Sequence, residues 1–227
     1  MKGEHHVLVP PDQKRRWSHR LPPRARVFGG GCALALAFAP VGARAQPGQA
    51  PPPTPSAADR LNAPGAEQAL LARAVGTFDV VATLYPPGGG APVVTRGLVA
   101  RRVMVGPFLQ ETMQPDAGSS TPPFTRLDYL YYSRVEGRWQ YVSMDTRLPV
   151  GIMPATSYGP SADGAIRLTF APLAFVGLGS AVEGRFMLSE MTVRRVDDRH
   201  DLKEQTANFA TGDGAPRPFV RYEYQRR

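Results

Sequence analysis

From Gly76 to the C terminus the apolar residues alternate with polar ones, and short turn sequences interrupt the alternation at close intervals. A period of two is the signature of half-buried β-strands, because successive side chains of a strand point to opposite faces. Candidate strands lie near 77–85, 93–105, 108–114, 126–133, 138–146, 153–158, 165–170, 183–189, 191–196, 201–208 and 218–225. Between them stand turn formers such as Pro86-Pro87-Gly88-Gly89-Gly90, Asp116-Ala117-Gly118, Glu136-Gly137, Asp163-Gly164 and Gly212-Asp213-Gly214. No helical pattern separates these strands, so the connections are hairpins and the sheet is antiparallel. A long meander of this kind stacks as a sandwich or closes on itself. Closure removes both exposed edges, and we expect an all-β, antiparallel barrel of about ten strands.

Ahead of the meander the pattern differs. Ala66-Glu67-Gln68-Ala69-Leu70-Leu71-Ala72-Arg73-Ala74 follows Pro64-Gly65 and consists of strong helix formers, which predicts one short helix. Gln46 to Ala58 is rich in proline and small residues and nearly uncharged, the composition of an extended linker. Residues 1–45 carry the three parts of an export signal in order. A basic stretch ends at Arg24 and Arg26, an apolar run follows from Val27 to Ala39, and Ala43-Arg44-Ala45 offers small residues for cleavage before Gln46. The apolar run is broken by glycines and is shorter than the ~20 residues a membrane-crossing helix needs, so we expect removal and no stable membrane anchor. The domain organisation expected is therefore a signal peptide over 1–45, a linker over 46–58 and one domain over 59–227. Its expected location is the periplasm or the medium.

Processing changes what the composition means. The 227-residue chain has a formal charge of +8, which invites a nucleic-acid reading. Residues 1–45 hold eight of the 27 Lys and Arg but two of the 19 Asp and Glu, so the remainder is within two charges of neutral. The dibasic pairs Arg101-Arg102 and Arg194-Arg195 place one arginine on each strand face without interleaved stacking aromatics, which reads as a solvated exterior. No nucleic-acid partner is expected. Cys32, the sole cysteine, and His5, His6 and His19 also fall within the signal. His200 is the one histidine beyond it, in the charged turn Val196-Asp197-Asp198-Arg199-His200-Asp201. No metal site, haem or other cofactor is expected on these grounds. There is no Gly-x-Ser-x-Gly and no phosphate-cradling glycine loop, and no residue is assigned a catalytic role.

Val75-Gly76-Thr77-Phe78-Asp79-Val80, after a short helix, resembles the opening of lipocalin-like barrels, in which a Gly-x-Trp pair begins the first strand. Phe78 stands in place of the tryptophan. Residues 76–226 resemble the bacterial family catalogued as domain of unknown function 1579. The matching features are Gly106 with Phe108-Leu109, Phe124, Tyr132 seven residues before Trp139, Asp145, Tyr158-Gly159 and the tail Tyr222-Glu223-Tyr224-Gln225-Arg226. The chain departs from that pattern at Arg126 and Tyr131, where the family tends to have glycine, and at Ser133, where it tends to have aspartate. The resemblance implies a lipocalin-like barrel of calycin type and brings no established activity.

The chemistry, then, rests on what faces the interior. Trp139, Tyr141, Ser143 and Asp145 share one strand face, and the aromatic start of that face points it inward. Asp145 then lies near one barrel mouth, with Glu111 or Arg126 as a polar partner, or as a strand-end carboxylate paired with Arg147. Tyr129 and Tyr131, with Tyr132, supply aromatic walls with hydroxyls if they face inward, as ligand pockets want, while tyrosines are also common on sheet exteriors. The candidate ligand-binding residues are Trp139, Tyr141, Asp145, Tyr129, Tyr131 and Phe78, for a small apolar ligand. The alternative is a hydrolase or isomerase built on Asp145 with tyrosine and arginine partners. The uncharged stretches 148–154 and 171–179 either plug the barrel end or form a patch for homodimerisation.

Overall fold

The computed structural model describes residues 54–148, 150–159, 163–174, 182–209 and 214–227. Two short helices precede the sheet, α1 (Ala57–Asn62) and α2 (Ala66–Arg73). The latter is the helix expected at 66–74. The former starts inside the stretch read as linker, where the Ser56 hydroxyl accepts from the Asp59 amide and the Asp59 carboxylate accepts from the Ser56 amide.

Eleven strands follow: β1 (Gly76–Leu84), β2 (Val93–Val105), β3 (Phe108–Pro115), β4 (Arg126–Ser133), β5 (Arg138–Asp145), β6 (Met153–Thr156), β7 (Ile166–Phe170), β8 (Leu173–Ala174), β9 (Phe186–Arg195), β10 (His200–Phe209) and β11 (Arg217–Arg226). Neighbours in sequence pair antiparallel from β1 to β7, then β7 with β9, β9 with β10 and β10 with β11. The ring closes where β11 pairs with β1, from Phe78 opposite Arg226 to Leu84 opposite Val220. The result is the expected closed antiparallel barrel of ten strands, with the two-residue β8 attached to the start of β9. Segments 183–189 and 191–196, read as two strands, form the single strand β9. Glu190 lies at an outward position between buried Ser189 and Met191, so a charge there interrupts nothing.

The alternation predicted along β5 is present without exception: Trp139, Tyr141, Ser143 and Asp145 are buried while the residues between them are half-exposed. Apolar packing forms two clusters on different walls. One gathers Phe78, Val80, Leu98, Met113, Tyr222 and Tyr224, and the other gathers Leu71, Leu130, Trp139, Tyr141, Leu168 and Met191. Leu148 and Leu173 pack against both, so the described parts of the two uncharged stretches cover the core there, while Ile152 is exposed. Residues 175–179 of the second stretch lie outside the described residues.

One clamp joins the start of the barrel to its end. The Arg226 guanidinium lies 4.9 Å from the Phe78 ring centre and donates to the carbonyls of Val75 (2.8 Å) and Arg73 (3.0 Å). Gly76, at φ 152°, leaves room for it, since a Cβ there would stand 2.6 Å from Arg226 Nη1. α2, β1 and β11 are thereby held together at one end of the barrel.

Candidate functional site

Strand register delivers a set of charged side chains to the barrel axis. Arg102 on β2 stands opposite Glu111 on β3, Glu111 opposite Asp128 on β4, Asp128 opposite Ser143 on β5, and Arg126 opposite Asp145. Lys203 on β10 is opposite Tyr222 on β11. All these residues sit at inward positions of their strands and are buried. Charges taken from water this completely persist only where each finds a partner.

Every carboxylate oxygen of the central pair is engaged. Glu111 Oε2 accepts from Arg102 Nε (2.5 Å), and its Oε1 accepts from Lys203 Nζ (2.8 Å) and the Tyr224 hydroxyl (2.9 Å). Asp128 Oδ2 accepts from Lys203 (3.0 Å), while its Oδ1 accepts from the Ser143 hydroxyl (2.7 Å) and Arg126 Nε (3.0 Å). Arg126 donates its two amino groups to the hydroxyls of Tyr222 (2.6 Å) and Tyr141 (3.1 Å). Arg102 also donates through Nη1 to Asp201. Its guanidinium lies 4.5 Å from the Phe78 ring and 4.3 Å from that of Tyr224.

The electrostatic consequences follow from the partners. Burial alone pushes the Glu111 and Asp128 carboxyls up, but the adjacent cations (Lys203 and Arg102 for the first, Arg126 and Lys203 for the second) hold both below the usual range. Burial alone lowers Lys203, yet Glu111 and Asp128 raise it well above an ordinary lysine. Burial raises the Tyr141 and Tyr224 phenols, and Asp128 and Glu111 respectively raise them further. The interior groups are thus locked in their neutral-pH charge states, the opposite of a proton-transfer group poised near pH 7.

This network divides the interior into two cavities. At the end where β1 finishes, a mouth cavity of about 260 Å³ is lined by Ala82, Leu84, Met153, Phe170, Phe219 and Val220, with Arg126, Tyr222, Gln205 and Asp145 as its polar surfaces. At the other end, under α2, a smaller cavity of about 80 Å³ reaches Arg102, Asp201 and Lys203. Asp145 is buried at the mouth, and its carboxylate takes a bidentate contact from Arg147, 2.9 Å from Nε and 2.6 Å from Nη2, besides the Arg147 amide. Burial raises this carboxyl, but the Arg147 hydrogen bonds outweigh it and the pKa is lowered. The Arg147 guanidinium lies 3.7 Å from the Phe124 ring, covering part of the mouth.

The six residues expected to line a pocket divide three ways. Tyr141 and Asp145 face cavities, Tyr141 under α2 and Asp145 at the mouth. Phe78 and Trp139 fill the core, Trp139 edge-on to Tyr132 at 5.0 Å. The placement of Tyr129 and Tyr131 on an inner wall is corrected. Arg126, Asp128, Leu130 and Tyr132 take the inward positions of β4, which puts the two tyrosines outside. There Tyr129 donates to Gln110 and Tyr131 packs against Phe108. Arg102, read as a solvated exterior residue, is corrected too, since it shares the inward parity of Leu98 and Ala100. Lys203 and Asp128 had the same signal, a charge at an inward position, and only the periodicity points to them. His200 is exposed at the start of β10 with Nδ1 2.7 Å from Asp197. Among the described residues no helix is long and apolar enough to cross a membrane, which says nothing of strands. No family model and no curated protein matches this chain.

Proposed function

We infer that the chain is exported and that its barrel binds a small, mainly apolar, uncharged ligand in the mouth cavity, as a member of the domain of unknown function 1579 barrels it resembles. The observation that carries this reading is the composition of that cavity. Its walls are aliphatic and aromatic, and a few polar groups converge on one side, the arrangement by which pockets combine affinity with orientation. Arg126 and Arg147 each face a carboxylate partner, so the cavity presents hydrogen-bonding edges without a free charge, which favours a neutral ligand. At about 260 Å³ the space suits a compact molecule.

Native mass spectrometry of the chain recovered from an expressing cell's periplasm or medium tests both halves. A mature species beginning at Gln46 and carrying a non-covalent adduct is the expected result. A bulky side chain set into the wall by Ala82→Phe should remove the adduct while leaving the fold intact by far-UV circular dichroism. An unprocessed cytoplasmic chain defeats the export reading. A processed chain that never retains a molecule, and that takes up no neutral fluorescent dye differently from Ala82→Phe, defeats the binding reading.

A further inference from the structure

The polar groups of the mouth cavity divide into those already engaged and those still open. Arg126 donates through all three of its nitrogens, to Asp128, Tyr222 and Tyr141, while Asp145 and Arg147 hold each other. Gln205 is different. It takes an inward position on β10, two residues after Lys203, and is 9 % exposed. Its amide has one orientation. The Ser189 hydroxyl donates its proton to the Thr206 carbonyl (2.8 Å), so it can only accept from Gln205, whose Nε2 lies 2.7 Å away. Gln205 Oε1 is left on the other side, without a partner among the described residues. It is not sealed off either, since the buried, unpartnered side-chain atoms among the described residues are Arg102 Nη2 and Arg221 Nε. The space on the inward side of Gln205 is the mouth cavity. Tyr222 supplies the complementary group. Its hydroxyl oxygen accepts from Arg126 Nη1, and a guanidinium cannot accept in return, so the hydroxyl proton has no acceptor among the described residues. Register makes the two residues neighbours. Lys203 is opposite Tyr222 and Gln205 opposite Val220, which sets Gln205 one inward position nearer the mouth than Tyr222, on the adjoining strand.

We propose that the ligand of the mouth cavity is an alcohol, whose hydroxyl donates to Gln205 Oε1 and accepts from the Tyr222 hydroxyl while its hydrocarbon body lies against Val220, Phe219 and Phe170. This inference rests on the mouth cavity being the binding site, and it names the polar group that the site selects. A ketone or an ether accepts from Tyr222 but brings no proton for Gln205 Oε1. A carboxylate adds an acceptor facing an acceptor, and a charge that Arg126 and Arg147, each already paired, do not need. Water in this corner makes both hydrogen bonds, so a ligand that displaces it keeps its affinity only by reproducing both, and a hydroxyl does so with one atom. Thr95, which shares the row Tyr222–Ala82–Thr95, has a hydroxyl that serves as donor or acceptor and therefore discriminates nothing.

The test is an amide-resolved NMR titration of the full chain with cyclohexanol and, in parallel, cyclohexanone, which keeps the ring and the oxygen and lacks the donor. Saturable shifts at Ala82, Phe170 and Val220 are expected for both, with a dissociation constant for the alcohol about five-fold or more below that of the ketone. Gln205→Leu, or Gln205→Met if the first fails to fold, should bring the alcohol to the ketone's affinity and leave the ketone's own within about two-fold. Ala82→Phe should abolish the shifts from both compounds. A ketone that binds as tightly as the alcohol, or a preference for the alcohol that survives in Gln205→Leu, overturns this inference and leaves the mouth cavity as a binding site. No saturable shift from either compound overturns the binding reading itself, and this inference with it.

Discussion

Glu111 accepts from Arg102, Lys203 and Tyr224 at once, and replacing it leaves two cations with fewer partners in a site closed to water. Glu111→Gln should therefore cost about 3–5 kcal/mol, read from the urea midpoint of the variant against the parent. The same network sets the pH range of stability. The carboxyls of Glu111, Asp128 and Asp145 are all held below their unfolded values, so their contribution is complete above about pH 4–5 and is lost as pH falls through the lower folded values. Lys203, Tyr141 and Tyr224 are raised, so theirs is complete below their unfolded values near pH 10 and is lost as pH climbs beyond them. Urea midpoints measured from pH 2 to 11 should form a plateau between about pH 5 and pH 9.5, with steep limbs on both sides. A midpoint that holds level down to pH 3 would show that these carboxylates are not paired in solution.

Among the elements packed on the barrel, α2 is held by a short list of contacts. Eight residues are too few to be helical in isolation, and its attachment is Leu71 in the core, Gln68 donating to the Tyr132 carbonyl, and Arg195 and Arg226 donating to the Arg73 carbonyl. Leu71→Ala should cost about 2–5 kcal/mol and, by hydrogen exchange, release α2 amides before those of the strands beneath it. The strands show where periodicity suffices and where it fails. Alternation identified the inner face of β5, since Trp139 and Tyr141 begin it. On β4 the aromatic residues were the more persuasive signal and gave the wrong face for Tyr129 and Tyr131. The charged Asp128 and Arg126 lie inside because partners from β5, β10 and β11 meet them there, and no local pattern contains those partners. β11 carries Pro218 near its start, where the register with β10 shifts between Gln205 and Thr206 and no ladder hydrogen bond is forfeited in a regular stretch.

At the scale of the whole molecule, closure is what makes a buried network possible. Pairing of β11 with both β1 and β10 seals the wall and brings Tyr222, Tyr224 and Arg226 to residues far back in the chain. A chain ending at Pro216 loses all three and leaves β1 and β10 as open edges, so it should run as soluble aggregate or void-volume material in gel filtration, whereas the full chain elutes as a discrete species. Strand number, antiparallel order and the placement of a short helix before the meander were written in the sequence, because period and turn chemistry are local properties. Periodicity already put Asp145 on an inward face, but which distant charges meet inside was decided by the tertiary structure alone. Lys203 reaches Glu111 across 92 positions and Tyr224 reaches it across 113, and a carboxylate is tolerable in the core only when those distant donors arrive together. The two cavities are a product of the same event, since the network that closure assembles is the partition between them.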